Sequence, residues 1–154
     1  MEMSRKFFYI DQLYPDLINL LFINIAFFAF YKEAISGSLL LRAAIGTPIV
    51  LLSFYFETRS SRILRQAHSH PEDIKKLVTA GIYSKVRHPI YLGRIFLNIG
   101  FLIIFPILPM LIVAIVFVIF WYLMALYEEM ILTYRFGKKY KKYKKKVPMF
   151  IPKK

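Results

Sequence analysis

Four apolar stretches, at residues 13–31, 34–56, 89–105 and 107–127, limit what this chain can fold into. The first is uncharged after Asp16, the second carries only Arg42, the third only Arg94, and the fourth has no charge. A helix needs about 20 residues, within a range of roughly 17–25, to cross the hydrocarbon core of a bilayer. All four stretches are therefore predicted as transmembrane helices, the third by a narrow margin. Backbone groups in lipid must pair within their own segment, which makes helix the expected form. Composition agrees. Apolar residues make up 58% of the 154, against about 45–50% in an ordinary soluble chain. An all-α integral membrane protein follows, with about four spans in a single unit over residues 1–154 and a helix pair at 1–56.

The connections refine this arrangement. Phe105, Pro106, Ile107, Leu108 and Pro109 contain no polar side chain, so the last two helices are expected to form a tight hairpin. One proline stops a helix and the other starts the next. Lys and Arg gather in three places: Arg5 and Lys6, then residues 57–88, then the tail from Arg135 to Lys154. The two other connections hold only Lys32 or nothing. Basic segments stay in the cytoplasm, and four spans with both termini inside put all three on one side. Arg42 then lies near the outer end of the second helix, where it can snorkel to headgroups.

The net charge is +13, which asks for an anionic partner. The positive-inside pattern already accounts for it, so membrane lipid is expected and nucleic acid is not. Lysines in the tail alternate with Tyr140 and Tyr143. This reads as an interfacial segment, worth about 1 kcal/mol per lysine on anionic lipid. With no cysteine, disulfides, thiolate zinc sites and thiol nucleophiles are excluded. The N-terminus looks like a retained anchor, because Asp11 and Asp16 interrupt any signal-like apolar run. His68 and His70 are too weakly spaced to suggest a metal, and Pro71 follows them directly.

Two places carry chemistry. The stretch from Leu77 to Gly93 contains Gly81, Tyr83, Arg87, His88, Pro89, Ile90 and Tyr91. Pro89 favours a first helical position, so the third helix should begin there with His88 as its cap. Its free amides and positive dipole end suit an anion such as a carboxylate. The plain alternative is a membrane-boundary turn with an aromatic belt. The second place is Glu128-Glu129, at the end of the fourth span. Adjacent helical residues point about 100° apart, so the two are not expected to share one partner on one face. Either they pair with nearby Lys and Arg, or one faces into the bundle to bind a polar ligand.

Taken in order, Gly81-x-Tyr83, Arg87-His88-Pro89-x-Tyr91-x-Gly93, the apolar hairpin, Glu128-Glu129, Phe136-Gly137-x-x-Tyr140-x-x-Tyr143 and Val147-Pro148 resemble the isoprenylcysteine carboxyl methyltransferase family and the related phospholipid N-methyltransferases. The resemblance covers about half of the chain, and the short N-terminal half implies a minimal member set in a prokaryotic cell membrane. It implies an S-adenosylmethionine-dependent methyltransferase with a cytoplasm-facing cofactor pocket in residues 57–154 and a lipophilic or lipid-modified substrate. It also implies that Leu77, Val78, Tyr83, His88, Pro89, Ile90, Tyr91 and Glu128 contact the cofactor. His88 and the helix start would hold a carboxylate, and Glu128 an ammonium or ribose.

One position departs from the pattern. Prenylcysteine enzymes carry an Arg about one turn before the paired glutamates, and that turn here reads Tyr122, Leu123, Met124 and Ala125. Arg94 or Arg87 is the available replacement for holding substrate. For an amine substrate, Glu129 or Tyr91 is the first candidate to take a proton. The alternatives are a phospholipid N-methyltransferase, a sterol-type reductase using a nicotinamide cofactor, and a non-enzymatic scaffold.

Overall fold

The computed structural model describes residues 13–63 and 76–151. Arg5, Lys6, the N-terminal anchor, His68 and His70 lie outside the described residues. Within them the secondary structure is helical: α1 (Leu13–Ala29), a short α2 (Tyr31–Ile35), α3 (Leu39–Ile63), a 3₁₀ turn at Gly81–Ser84, α4 (Pro89–Ile104) and α5 (Leu108–Lys146).

Boundaries follow local chemistry. Pro89 occupies the first turn of α4 with His88 at the N-cap position. Only three residues separate α4 from α5, and Pro109 lies in the first turn of α5, which is the expected tight hairpin. Two bounds differ from expectation. The second apolar stretch splits, because Ser36 leaves the helix in an extended conformation and Gly37 has φ of 73°. Arg42, in the first turn of α3, donates to the Ser36 carbonyl across this break. The fourth helix continues well past Tyr127 to Lys146, interrupted only at Gly137 (φ 48°, ψ −123°). Glycine tolerates that backbone, and it re-aims the last turns of the helix.

Two helices, α3 and α5, are long and apolar enough to cross a membrane. α1 and α4 are apolar but have only 17 and 16 residues, or about 24–26 Å at 1.5 Å per residue. Much of the apolar surface faces outward: Leu40 is 86% exposed and Phe28 69%. Soluble monomers rarely tolerate extended patches of this kind, and a hydrocarbon solvent explains them.

α3 and α4 pack backbone to backbone through glycine. A Cβ on Gly100 would lie 2.6 Å from Val50 Cγ2, and one on Gly46 would lie 2.8 Å from the Gly100 carbonyl oxygen. Small residues let helices approach closely in lipid. The main core joins Ile23 and Ala26 of α1, Tyr91 of α4, and Met110, Phe117, Trp121 and Ala125 of α5. A second cluster, Leu77, Leu132, Tyr140, Tyr143 and Val147, closes the end where α4 begins.

Candidate functional site

After α5 the chain turns back and runs beside the start of α4. The Arg87 and His88 amides donate to the Pro148 and Met149 carbonyls at 3.0 and 3.3 Å. Phe150 packs near the His88 ring, with centroids 6.4 Å apart. This strap fixes the residues preceding α4 against the far end of α5.

Arg87 is the hub. Its Nε donates to Glu129 Oε1 at 2.7 Å, and its Nη1 donates to the Lys144 carbonyl at 3.0 Å and to the Val147 carbonyl. Lys144 Nζ donates to the other Glu129 oxygen. The imidazole of His88 sits between both glutamates: Nδ1 is 3.5 Å from Glu128 Oε2, and Nε2 is 3.4 Å from Glu129 Oε1. The expectation that adjacent glutamates share no partner is thus corrected. An imidazole presents nitrogens on two edges, so carboxylates about 100° apart on a helix can close on it from both sides.

These groups set each other's protonation. Burial disfavours a charged carboxyl at Glu129, but the His88 imidazole facing it and the hydrogen bonds from Lys144 and Arg87 prevail and hold it at about 2. Burial also disfavours charge on His88, yet the Glu128 and Glu129 carboxylates facing its two nitrogens outweigh it and raise the imidazole above its ordinary 6.5. Folding therefore favours imidazolium. That contribution is complete below pH 6.5 and fades as pH rises through the raised value. The Glu129 contribution is complete above pH 4.5 and is lost as pH falls from there toward 2. Stability should peak between these limits. Thermal unfolding across pH should show His88→Gln losing the alkaline limb and keeping the acid one.

Beside this network is a small pocket lined by Leu77, Val78, Tyr83, Arg87, Glu128, Leu132, Tyr140 and Tyr143. Four of the sequence-predicted cofactor residues, Leu77, Val78, Tyr83 and Glu128, line it together. His88 and Pro89 lie buried behind it, and Ile90 is half-buried. Tyr91 faces inward to Trp121, with ring centroids 6.0 Å apart. Glu129 serves as counter-ion, and a carboxylate held at about 2 is a weak proton acceptor at neutral pH. Arg94 stands elsewhere, with Nη2 2.5 Å from Asp16 Oδ2 of α1 and its guanidinium 4.4 Å above the Trp121 ring.

Sequence reasoning read Tyr140 and Tyr143 as interfacial residues of the tail and assigned no role to Leu132. Gly137 and the three-residue tyrosine spacing were the available signals, since the backbone turn at Gly137 brings both rings back over the pocket. Tyr143 donates to the Tyr83 carbonyl at 2.5 Å. Burial, together with nearby carboxylates, keeps the hydroxyls of Tyr83, Tyr140 and Tyr143 protonated, well above the ordinary phenol range. The buried Tyr140 hydroxyl has no hydrogen-bond partner among the described residues. The pocket thus offers a carboxylate, an unused hydroxyl and aromatic walls, a set that fits a ligand bearing an ammonium, hydroxyls and a flat ring system.

The sequence model of the phospholipid methyltransferase family matches residues 41–139. The chain belongs to this family. The family includes the isoprenylcysteine carboxyl methyltransferases, and membership makes the chain a membrane methyltransferase whose relatives act on lipophilic substrates. The match spans nearly all of α3, all of α4 and most of α5, and leaves α1 outside. No curated protein and no solved structure matches the chain.

Proposed function

We propose that the chain is an S-adenosylmethionine-dependent methyltransferase that modifies a lipophilic acceptor at the cytoplasmic face of a prokaryotic cell membrane. The observation that carries this reading is the pocket in which Glu128, Tyr83, Tyr140 and Tyr143 converge beside the start of α4. When bound, S-adenosylmethionine supplies an electrophilic methyl group on a sulfonium. Glu128 would accept hydrogen bonds from its ammonium or ribose, and the tyrosine rings would exclude water and face the cation. His88, held between the glutamates, fixes the orientation of Glu128. For a methyl transfer of this kind, what the chain's own residues would contribute is alignment and desolvation.

In this reading α1, α3, α4 and the apolar part of α5 all cross the bilayer, with both termini and the pocket on the inner side. The start of α1, the end of α3, the start of α4 and the pocket-bearing part of α5 share one end of the bundle, which also carries the basic residues. A prenylcysteine acceptor asks for an Arg in the turn before Glu128-Glu129, and that turn has none. Incubation of the purified protein with methyl-labelled S-adenosylmethionine, bacterial lipid extract and prenylated thiols should place label in a chloroform-soluble product. Label that stays in the aqueous phase under all conditions contradicts the reading.

A further inference from the structure

Beyond the turn at Gly137, the tyrosines of α5 face inward. Tyr140 and Tyr143 are 1% and 9% exposed, so they are packed inside the protein rather than set among headgroups. The lysines between them are exposed and divide into two faces. Lys139, Lys142 and Lys146 recur at three- and four-residue spacing and share one face of the helix. Lys138, Lys141 and Lys145 repeat that spacing on a face about 100° away. Lys144 is engaged with Glu129.

The first trio lines an open cleft together with Thr79 and Ser84, from the segment that precedes α4. None of the three lysines pairs with an acidic side chain among the described residues. Like charges one turn apart on a helix repel, and no carboxylate in the described chain offsets them. Ser84 Oγ already donates to the Gly81 carbonyl at 2.7 Å. The donors that remain are three ammonium groups and the Thr79 hydroxyl, a set suited to a tetrahedral oxyanion.

Position selects the source of that anion. The cleft lies at the basic end of the bundle, beside the start of α4, where the spans meet the inner leaflet. The negative surface potential of that leaflet concentrates anionic lipid there. A lipid phosphodiester is held in place by its own chains, whereas a soluble anion would depend on exposed, salt-screened charges alone.

The cleft also shares walls with the cofactor pocket. Leu77 and Tyr143 line both, and the Tyr143 hydroxyl donates to the Tyr83 carbonyl at 2.5 Å. A ligand held by lysines on one side and Thr79 on the other pins these walls together.

We infer that this cleft binds the phosphodiester of an anionic membrane lipid, and that the bound lipid strengthens cofactor binding by pinning the last segment of α5 against residues 77–84. Lys142 and Lys146 lie beyond the residues matched by the family, so the family match does not account for them. The lipid site stands on the cleft alone, and its coupling to the cofactor rests on the methyltransferase reading. Such coupling is reciprocal, so the cofactor strengthens lipid binding in turn.

Two variants that remove equal charge test this. One is Lys139→Gln, Lys142→Gln, Lys146→Gln, and the other is Lys138→Gln, Lys141→Gln, Lys145→Gln. Each purified protein, in a non-ionic detergent, is titrated calorimetrically with short-chain phosphatidylglycerol, phosphatidylcholine of the same chains, and inorganic phosphate. S-adenosylmethionine is then titrated with and without phosphatidylglycerol. The expected result is one-site, saturable binding of phosphatidylglycerol, weakened about tenfold or more in the first variant and nearly unchanged in the second. Phosphatidylglycerol should raise cofactor affinity about fivefold or more in the wild type and the second variant, and not in the first. Without lipid, both variants should bind the cofactor as the wild type does, which certifies their folding. Should the first variant fail to fold, the single variant Lys142→Gln decides in its place. Equal losses in the two triple variants, comparable binding of phosphatidylcholine or inorganic phosphate, no saturation, undiminished binding in Lys142→Gln, or an unchanged cofactor affinity would overturn the inference. A wild type that binds phosphatidylglycerol but no S-adenosylmethionine would strike the methyltransferase reading and the coupling with it, and leave the lipid site standing.

Discussion

Replacing Glu129 with alanine should lower the unfolding midpoint in detergent by on the order of ten degrees, the largest stability effect expected of any single substitution at the site. The side chains of Arg87 and Glu129 are 7% and 5% exposed. Removing one partner of such a buried pair leaves an uncompensated charge and costs about 3–5 kcal/mol. Here the loss spreads further. Glu129 also faces His88, and Arg87 in turn holds the Lys144 and Val147 carbonyls that anchor the strap. Lys144, half-exposed, can swing to solvent and adds little. The double variant Arg87→Met, Glu129→Met should recover much of the loss, because it removes both charges together. Circular dichroism during heating reads all three. An unchanged midpoint in Glu129→Ala would mean that this network does not hold the strap to α4.

Glu128→Gln should behave in the opposite way, leaving the fold intact and weakening S-adenosylmethionine binding by about tenfold to a hundredfold. Its side chain is 22% exposed, against 5% for Glu129, and its one charged neighbour among the described residues, His88, is at the longer distance of 3.5 Å, so much less of the fold depends on its charge than on that of Glu129. A hydrogen bond to a charged group contributes about 1.5–3 kcal/mol, and each 1.4 kcal/mol is tenfold in affinity. Tyr140→Phe, which removes only the unpartnered neutral hydroxyl, should cost about threefold to tenfold by the same reasoning. Calorimetric titration of the folded variants measures both. Equal affinities in wild type and Glu128→Gln would remove Glu128 from the binding role.

Much of this architecture was legible because it is written in local chemistry. The ends of α4 follow from prolines at 89 and 106, and its cap position from His88 preceding Pro89. The pocket residues Leu77, Val78, Tyr83 and Glu128 were legible as a family pattern in fixed order. What escaped depends on tertiary geometry. Nothing local links Asp16 to Arg94, 78 residues apart, although a lone acid and a lone base in two apolar stretches were a signal that they meet. The backbone of Gly137 was hidden because a glycine among lysines in a helical pattern reads as a weak helix position rather than a turn. The angular argument about Glu128 and Glu129 treated the partner as a point. The imidazole between them has two faces to offer, and one carboxylate ended as counter-ion while the other faces the pocket.

Titration of the purified wild-type protein in detergent with S-adenosylmethionine, and separately with NADPH, tests the central claim most directly. The structure of the pocket predicts saturable one-site binding of the sulfonium cofactor and none of the nicotinamide. Saturation by NADPH alone, or by neither, would contradict it.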